Sequence, residues 1–73
     1  MENAFGRNLK RALEEREILQ KDFAKKIGVQ KQMVTYWIKG SHIPKIYDLC
    51  KISDALGMTP DELMEGMDEQ GKK

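Results

Sequence analysis

One cysteine among 73 residues leaves no internal disulfide, and Cys50 by itself cannot hold a zinc ion. One histidine, His42, with no cysteine, aspartate or second histidine at ligand spacing, gives no footing for a metal centre. The chain also lacks a nucleophile-and-base arrangement and any glycine-rich loop for phosphates, so enzymatic function is not expected. No apolar run is long enough to span a membrane, and "MENAFGRNLK" lacks the apolar stretch of a signal peptide. Internal repeats and low-complexity linkers are absent. These features read as a reduced, cytoplasmic, soluble protein that requires no cofactor and holds itself together by packing. At this length, near the lower limit for folding without a staple, a helical bundle is the economical solution.

Overall charge is +1, but it is unevenly spread. Residues 1–19 balance four basic against four acidic groups. Residues 20–45 carry Lys21, Lys25, Lys26, Lys31, Lys39 and Lys45 against Asp22, whereas residues 46–73 carry three lysines against seven acids. Positive charge gathered in the middle fits an anionic partner. It equally fits lysines that merely solvate one helix face, and charge alone leaves both readings open.

Apolar spacing divides the chain into five helical segments. Phe5, Leu9, Ala12 and Leu13 fall at i, i+4, i+7 and i+8, which predicts an amphipathic helix over about 4–17. A short second helix, about 20–27, buries Phe23, Ala24 and Ile27, and Gly28 provides the tight exit. The segment 30–39 contains "MVTYWI", which scores locally as a strand. Gly40 at its end, helical neighbours and the lack of a partner strand favour helix instead. A fourth helix over about 45–56 is expected to turn Ile46, Leu49, Ile52, Ala55 and Leu56 inward, with Cys50 as a small buried hydrophobe. "TPDEL" is a start signal for a fifth: Thr59 as N-cap, Pro60 at the first helical position and Glu62 completing a capping box. Leu63, Met64 and Met67 form its apolar side. They are expected either to fill the core or, with Met58, to form a dimer surface. Residues 1–67 are read as one domain and 68–73 as a flexible tail.

A short helix, a glycine-containing turn and a second helix make a helix-turn-helix, whose second helix fits the major groove of a duplex. "LQKDFAKKIGVQKQMVTYWIKG", then "IP", then "LCKISDALGMTPDELMEG" resembles the Cro/phage-repressor class of helix-turn-helix regulators, the Xre family, over residues 5–66. The resemblance implies an all-α, five-helix, lambda-repressor-like DNA-binding domain with its helix-turn-helix at about 20–39. It rests on Gln20, Ala24, Gly28-Val29, Val34, Trp37, Gly40, Pro44 and "ALG" in combination.

Within the third helix, Val34 and Trp37 are expected to anchor it to the domain, while Lys31, Gln32, Thr35 and Tyr36 project elsewhere with Gln30 at the exposed start. Glutamine can bond bidentately to adenine and lysine can donate to guanine. The resemblance places base contacts at Lys31, Gln32 and Tyr36, with Gln30 and Thr35 nearby. Tyr36 has an alternative: packing on Gln32 and touching phosphate only. Gln20 occupies the family's phosphate-clasping position, at a helix N-terminus that favours anions in any case. Lys39, Ser41, His42 and Lys45 are further phosphate candidates, although His42 also reads as a plain loop residue.

The chain departs from the family pattern at several positions. Leu19 and Gln30 stand where the family usually has Ser or Thr caps, Ile38 replaces a frequent glutamate, and Glu17 replaces a common glycine. The resemblance implies double-stranded DNA as partner, a homodimer on a palindromic operator, and transcriptional regulation, with repression as the default. Alternatives are a controller or antitoxin-type operon regulator, with toxin or RNA polymerase as protein partner, and a protein-interaction adaptor built on the same fold.

Overall fold

The first helix begins where the Asn3 side chain accepts a 2.7 Å hydrogen bond from the Gly6 N–H, satisfying a donor that the helix itself cannot. This is seen in a computed structural model that describes residues 3–66. The proposed flexible tail and Met67 lie outside the described residues. Helix α1 spans Ala4–Glu15, α2 Gln20–Ile27, α3 Lys31–Lys39, α4 Ile46–Leu56 and α5 Pro60–Leu63. All regular structure among the described residues is helical, and "MVTYWI" is helix as expected.

Helix α1 stops two residues short of the expected end. Glu17 adopts φ +55, the left-handed conformation, and the Ile18 N–H reaches back to the Leu13 carbonyl at 2.9 Å. This closure ordinarily uses glycine, and an L-residue there costs about 1–2 kcal/mol. Helix α2 closes conventionally: Gly28 sits at φ 79 and the Val29 N–H bonds the Ala24 carbonyl at 2.9 Å. That left-handed residue turns the chain so that only three residues separate α2 from α3.

Helix α3 packs against both α1 and α2, α4 packs against α2 and α5, and α5 returns to α1. One core joins them: Phe5, Leu9, Ala12 and Leu13 from α1, Phe23, Ala24 and Ile27 from α2, Val34 and Trp37 from α3, Leu49, Ile52 and Leu56 from α4, and Leu63 from α5. Leu63 therefore belongs to the monomer core, with Met58 and Met64 half-buried against it.

The fourth helix corrects two expectations. Ile46 is 72% exposed rather than inward, and Cys50 is exposed rather than buried. At about 100° per residue, Leu49, Ile52 and Leu56 share an arc of about 60°, and Ile46 and Cys50 fall outside one edge of it. Ala55, outside the other edge next to Ile52, is half-buried.

Three ties between distant segments complete the fold. Asn8 Nδ2 donates to the Leu63 and Glu65 carbonyls at 2.8 and 2.9 Å, fixing the end of α5 on α1. Arg16 Nε donates to the Leu56 carbonyl at 3.1 Å, joining the end of α1 to the end of α4. Gly6 faces the end of α3: a Cβ there would collide with the Ile38 carbonyl oxygen and lie 2.8 Å from the Trp37 carbonyl oxygen. The missing side chain lets the two helix backbones close on each other.

Candidate nucleic-acid interface

Helix α3 has two sides. Val34 is fully buried and Trp37 is 1% exposed, so the inner side is fixed in the core. Gln30, Lys31 and Gln32 are exposed at its front, and Tyr36 is half-buried one turn further along. The polar front therefore forms a ridge in solvent rather than packing into its own subunit.

The side chains on that ridge are partly fixed by one another. Gln32 Nε2 donates to the Tyr36 hydroxyl at 2.6 Å. A primary amide has two N–H donors and a carbonyl oxygen, so this bond leaves one donor and one acceptor facing outward. Those are the two groups needed to pair with adenine N7 and N6. The Tyr36 ring is in turn packed against the His42 ring, centroids 4.8 Å apart and tilted by 56°. His42 Nδ1 lies 2.7 Å from the Ser41 carbonyl oxygen, which assigns the ring proton to Nδ1 and fixes the loop side of the chain. Tyr36 and Gln32 are thus joined through the hydroxyl and the amide, not by the ring lying on the glutamine.

Thr35 plays a different part. It is half-buried, and its hydroxyl lies 3.1 Å from Gln20 Oε1 and 3.3 Å from the Lys31 carbonyl, two acceptors for one hydrogen. With the Gln20 oxygen held by Thr35, the Gln20 Nε2 is aimed away as a free donor at the start of α2. Thr35 braces the Gln20 side chain across the helix-turn-helix, a link that sequence spacing does not reveal because the residues lie fifteen positions apart.

Neither α2 nor α3 has a side-chain cap: Leu19 and Gln30 make no capping bond, and neither does Lys45 before α4. The first N–H groups of these helices are left to other acceptors. Lys21, Lys25, Lys26, Lys31, Lys39 and Lys45 are all exposed, as are Ser41 and His42. Among the described residues the one ion pair, Arg16 with Glu15 at 4.0 Å, involves none of those lysines. Free ammonium groups, uncapped helix starts and an oriented amide pair make an arrangement suited to a polyanion that also carries readable edges. Ile38, which replaces a frequent glutamate of the family, is half-buried against the core and lines, with Leu13, a groove of about 450 Å³ between α1, α2 and α3. No helix among the described residues is long and apolar enough to cross a membrane, and none of their acidic, histidine or cysteine side chains cluster to hold a metal ion.

The helix-turn-helix family profile matches residues 9–63. Among solved structures, the chain is similar to the solution structure of the DNA-binding domain of the P22 C2 repressor, with 24% identity and a TM-score of 0.82. The match covers 90% of this chain and 87% of that one. The likeness establishes the fold. No curated protein matches the chain.

Proposed function

Because the chain belongs to the Cro/C1-type helix-turn-helix family of DNA-binding regulators, we propose that it binds double-stranded DNA sequence-specifically as a dimer on a palindromic operator, where it represses transcription by occluding polymerase. The observation that carries this reading is the division of α3: Val34 and Trp37 are locked inward, and Lys31 and the Gln32–Tyr36 pair are held outward.

In this reading α3 lies in the major groove. Gln32 pairs bidentately with an adenine, Lys31 donates to a guanine, and Tyr36 holds the Gln32 amide in plane. Gln30 adds a contact at the front of the helix, and Thr35 acts through Gln20. Phosphates are gripped by Gln20 at the start of α2 and by Lys39, Ser41, His42 and Lys45 beyond α3, contacts that position the protein without reading sequence. Two copies present their α3 helices to successive major grooves about 34–36 Å apart.

Selection of bound fragments from random duplex, followed by sequencing, tests the reading. The expected result is a two-fold symmetric consensus with adenine at a fixed place in each half. Affinity for that consensus should fall steeply with salt, with a log–log slope near −0.9 per phosphate neutralised. No enrichment would overturn the proposal and favour a protein-interaction role.

A further inference from the structure

His42 is the sole histidine of the chain and lies exposed in the loop 40–45 between α3 and α4. The backbone holds it there: the Ser41 and His42 N–H groups both reach the Tyr36 carbonyl, at 2.9 and 3.4 Å. The ring is held as well. It packs on the Tyr36 ring with centroids 4.8 Å apart, and its Nδ1 lies 2.7 Å from the Ser41 carbonyl oxygen. A carbonyl oxygen can only accept, so Nδ1 carries the proton of the neutral ring. The other nitrogen, Nε2, is then an acceptor with nothing to donate.

That tautomer conflicts with a phosphate. The oxygens of a DNA phosphate are acceptors too, and two facing acceptors make no bond. We infer that His42 grips a phosphate only once Nε2 has taken up a second proton, so that duplex binding draws a proton from solvent. This rests on the DNA-binding reading above, in which Lys39, Ser41, His42 and Lys45 meet the same backbone.

The surroundings suit a ring that its ligand charges. In the cation, Nδ1–H keeps its bond to the Ser41 carbonyl, now strengthened by the charge. The Tyr36 ring lies close enough for cation–π attraction, whose reach is about 6 Å. Tyr36 is the titratable group in contact with the imidazole, and the nearest charged residues along the chain are the exposed cations Lys39 and Lys45. Among the described residues no carboxylate pairs with His42, the one ion pair being Arg16 with Glu15. The free chain therefore offers no anion to the second proton, whereas a phosphate does. Moving the single proton from Nδ1 to Nε2 instead would forfeit the Ser41 bond for the phosphate bond gained.

An imidazole changes charge between about pH 5 and 8, where lysines and carboxylates ordinarily keep theirs. DNA affinity is thus greatest at the acidic end of that range and falls as pH rises and the ring becomes harder to charge. A phosphate carries no sequence information, so cognate and random duplex are affected alike. Acidification raises occupancy without changing which site is preferred.

The test measures the affinity of the full chain for a selected and a random duplex at fixed salt, from about pH 6 to 8. Calorimetry in two buffers of different ionisation heat counts the protons taken up. The expected result is uptake of up to about one proton per bound copy, with affinity falling up to about tenfold per pH unit toward the alkaline end on both duplexes. His42→Gln, whose amide donates without an added proton, should bind without that slope. His42→Arg, charged throughout, should bind tightly across the whole range. Imidazole nitrogen chemical shifts of the free chain give a readout independent of DNA, and the neutral ring should carry its proton on Nδ1. A neutral ring protonated on Nε2, or the same slope in native and His42→Gln chains, would overturn the inference. Binding by the native chain that ignores pH would overturn it too and leave the DNA-binding reading intact. No binding to any duplex at any pH would overturn both.

Discussion

The helices of this small domain begin in two ways. Helices α1 and α5 start under side-chain caps, Asn3 onto Gly6 N–H and the reciprocal Thr59–Glu62 box. Helices α2, α3 and α4 start under Leu19, Gln30 and Lys45, none of which caps anything. A missing cap costs about 1 kcal/mol, and the chain omits it at the three consecutive helix starts surrounding the candidate DNA surface. The capped pair pack on each other, and the uncapped set leaves its first N–H groups open to acceptors from outside the helix. Stability is invested in the first pair, and hydrogen-bonding capacity is left open in the second set.

The largest expected effect comes from breaking the joint between the two regions. Gly6→Ala drives a methyl group into the α3 carbonyls and should destabilise the domain by about 1–3 kcal/mol or more, measurable by urea unfolding. An unchanged midpoint would mean that α1 and α3 separate freely. On the reading side, Gln32→Ala should lose about 1–3 kcal/mol of cognate binding while leaving random-sequence affinity nearly unchanged. Tyr36→Phe should show a smaller loss of the same kind, because it removes the brace and not the reader. Equal losses on cognate and random duplex would refute base reading at either position. In the support, Thr59→Ala should cost about 1 kcal/mol of stability with no change in DNA affinity. The smallest effect is the mirror experiment: Leu19→Ser installs a cap on α2 and should gain up to about 1 kcal/mol, read as a raised unfolding midpoint. A cap that destabilised the chain would contradict the idea that α2 starts with free donors.

Much of this was legible in the sequence, for a physical reason. Helices α1 to α3 each bury a narrow stripe, so the periodic apolar residues and the core coincide, from Phe5 to Trp37. The capping box of α5 could be read for the same kind of reason, since both partners lie within one turn. Helix α4 defeated that logic. Ile46, Tyr47, Leu49, Cys50, Ile52, Ala55 and Leu56 cover more of its circumference than one contact face can bury, and only the packing of α2 and α5 decides which are left out.

The division of α3 into a buried side, Val34 and Trp37, and an exposed front, Gln30 to Gln32, was legible, but the bracing of its side chains was not. Thr35 to Gln20 and Tyr36 to His42 are tertiary contacts with no periodic signature. The same holds for Asn8 and Arg16, whose acceptors are carbonyls some forty or more residues away. Gly6 offered a usable signal, because a glycine inside a helix is costly and is commonly kept for a close approach. Glu17 departs from a glycine of the family pattern, and the structure shows the strained φ that such a departure entails.

The bare backbone at position 6 carries a consequence for engineering. How far the recognition element leans out of the body is governed by a hydrogen atom on a different helix, not by any of the residues that would touch a base. Grafting residues 31–39 onto a relative with a bulkier side chain at that spot would transplant the letters without the angle at which they are presented. Altered-specificity variants of this chain should therefore be selected with position 6 held fixed, and donors for domain swaps chosen by what they carry there.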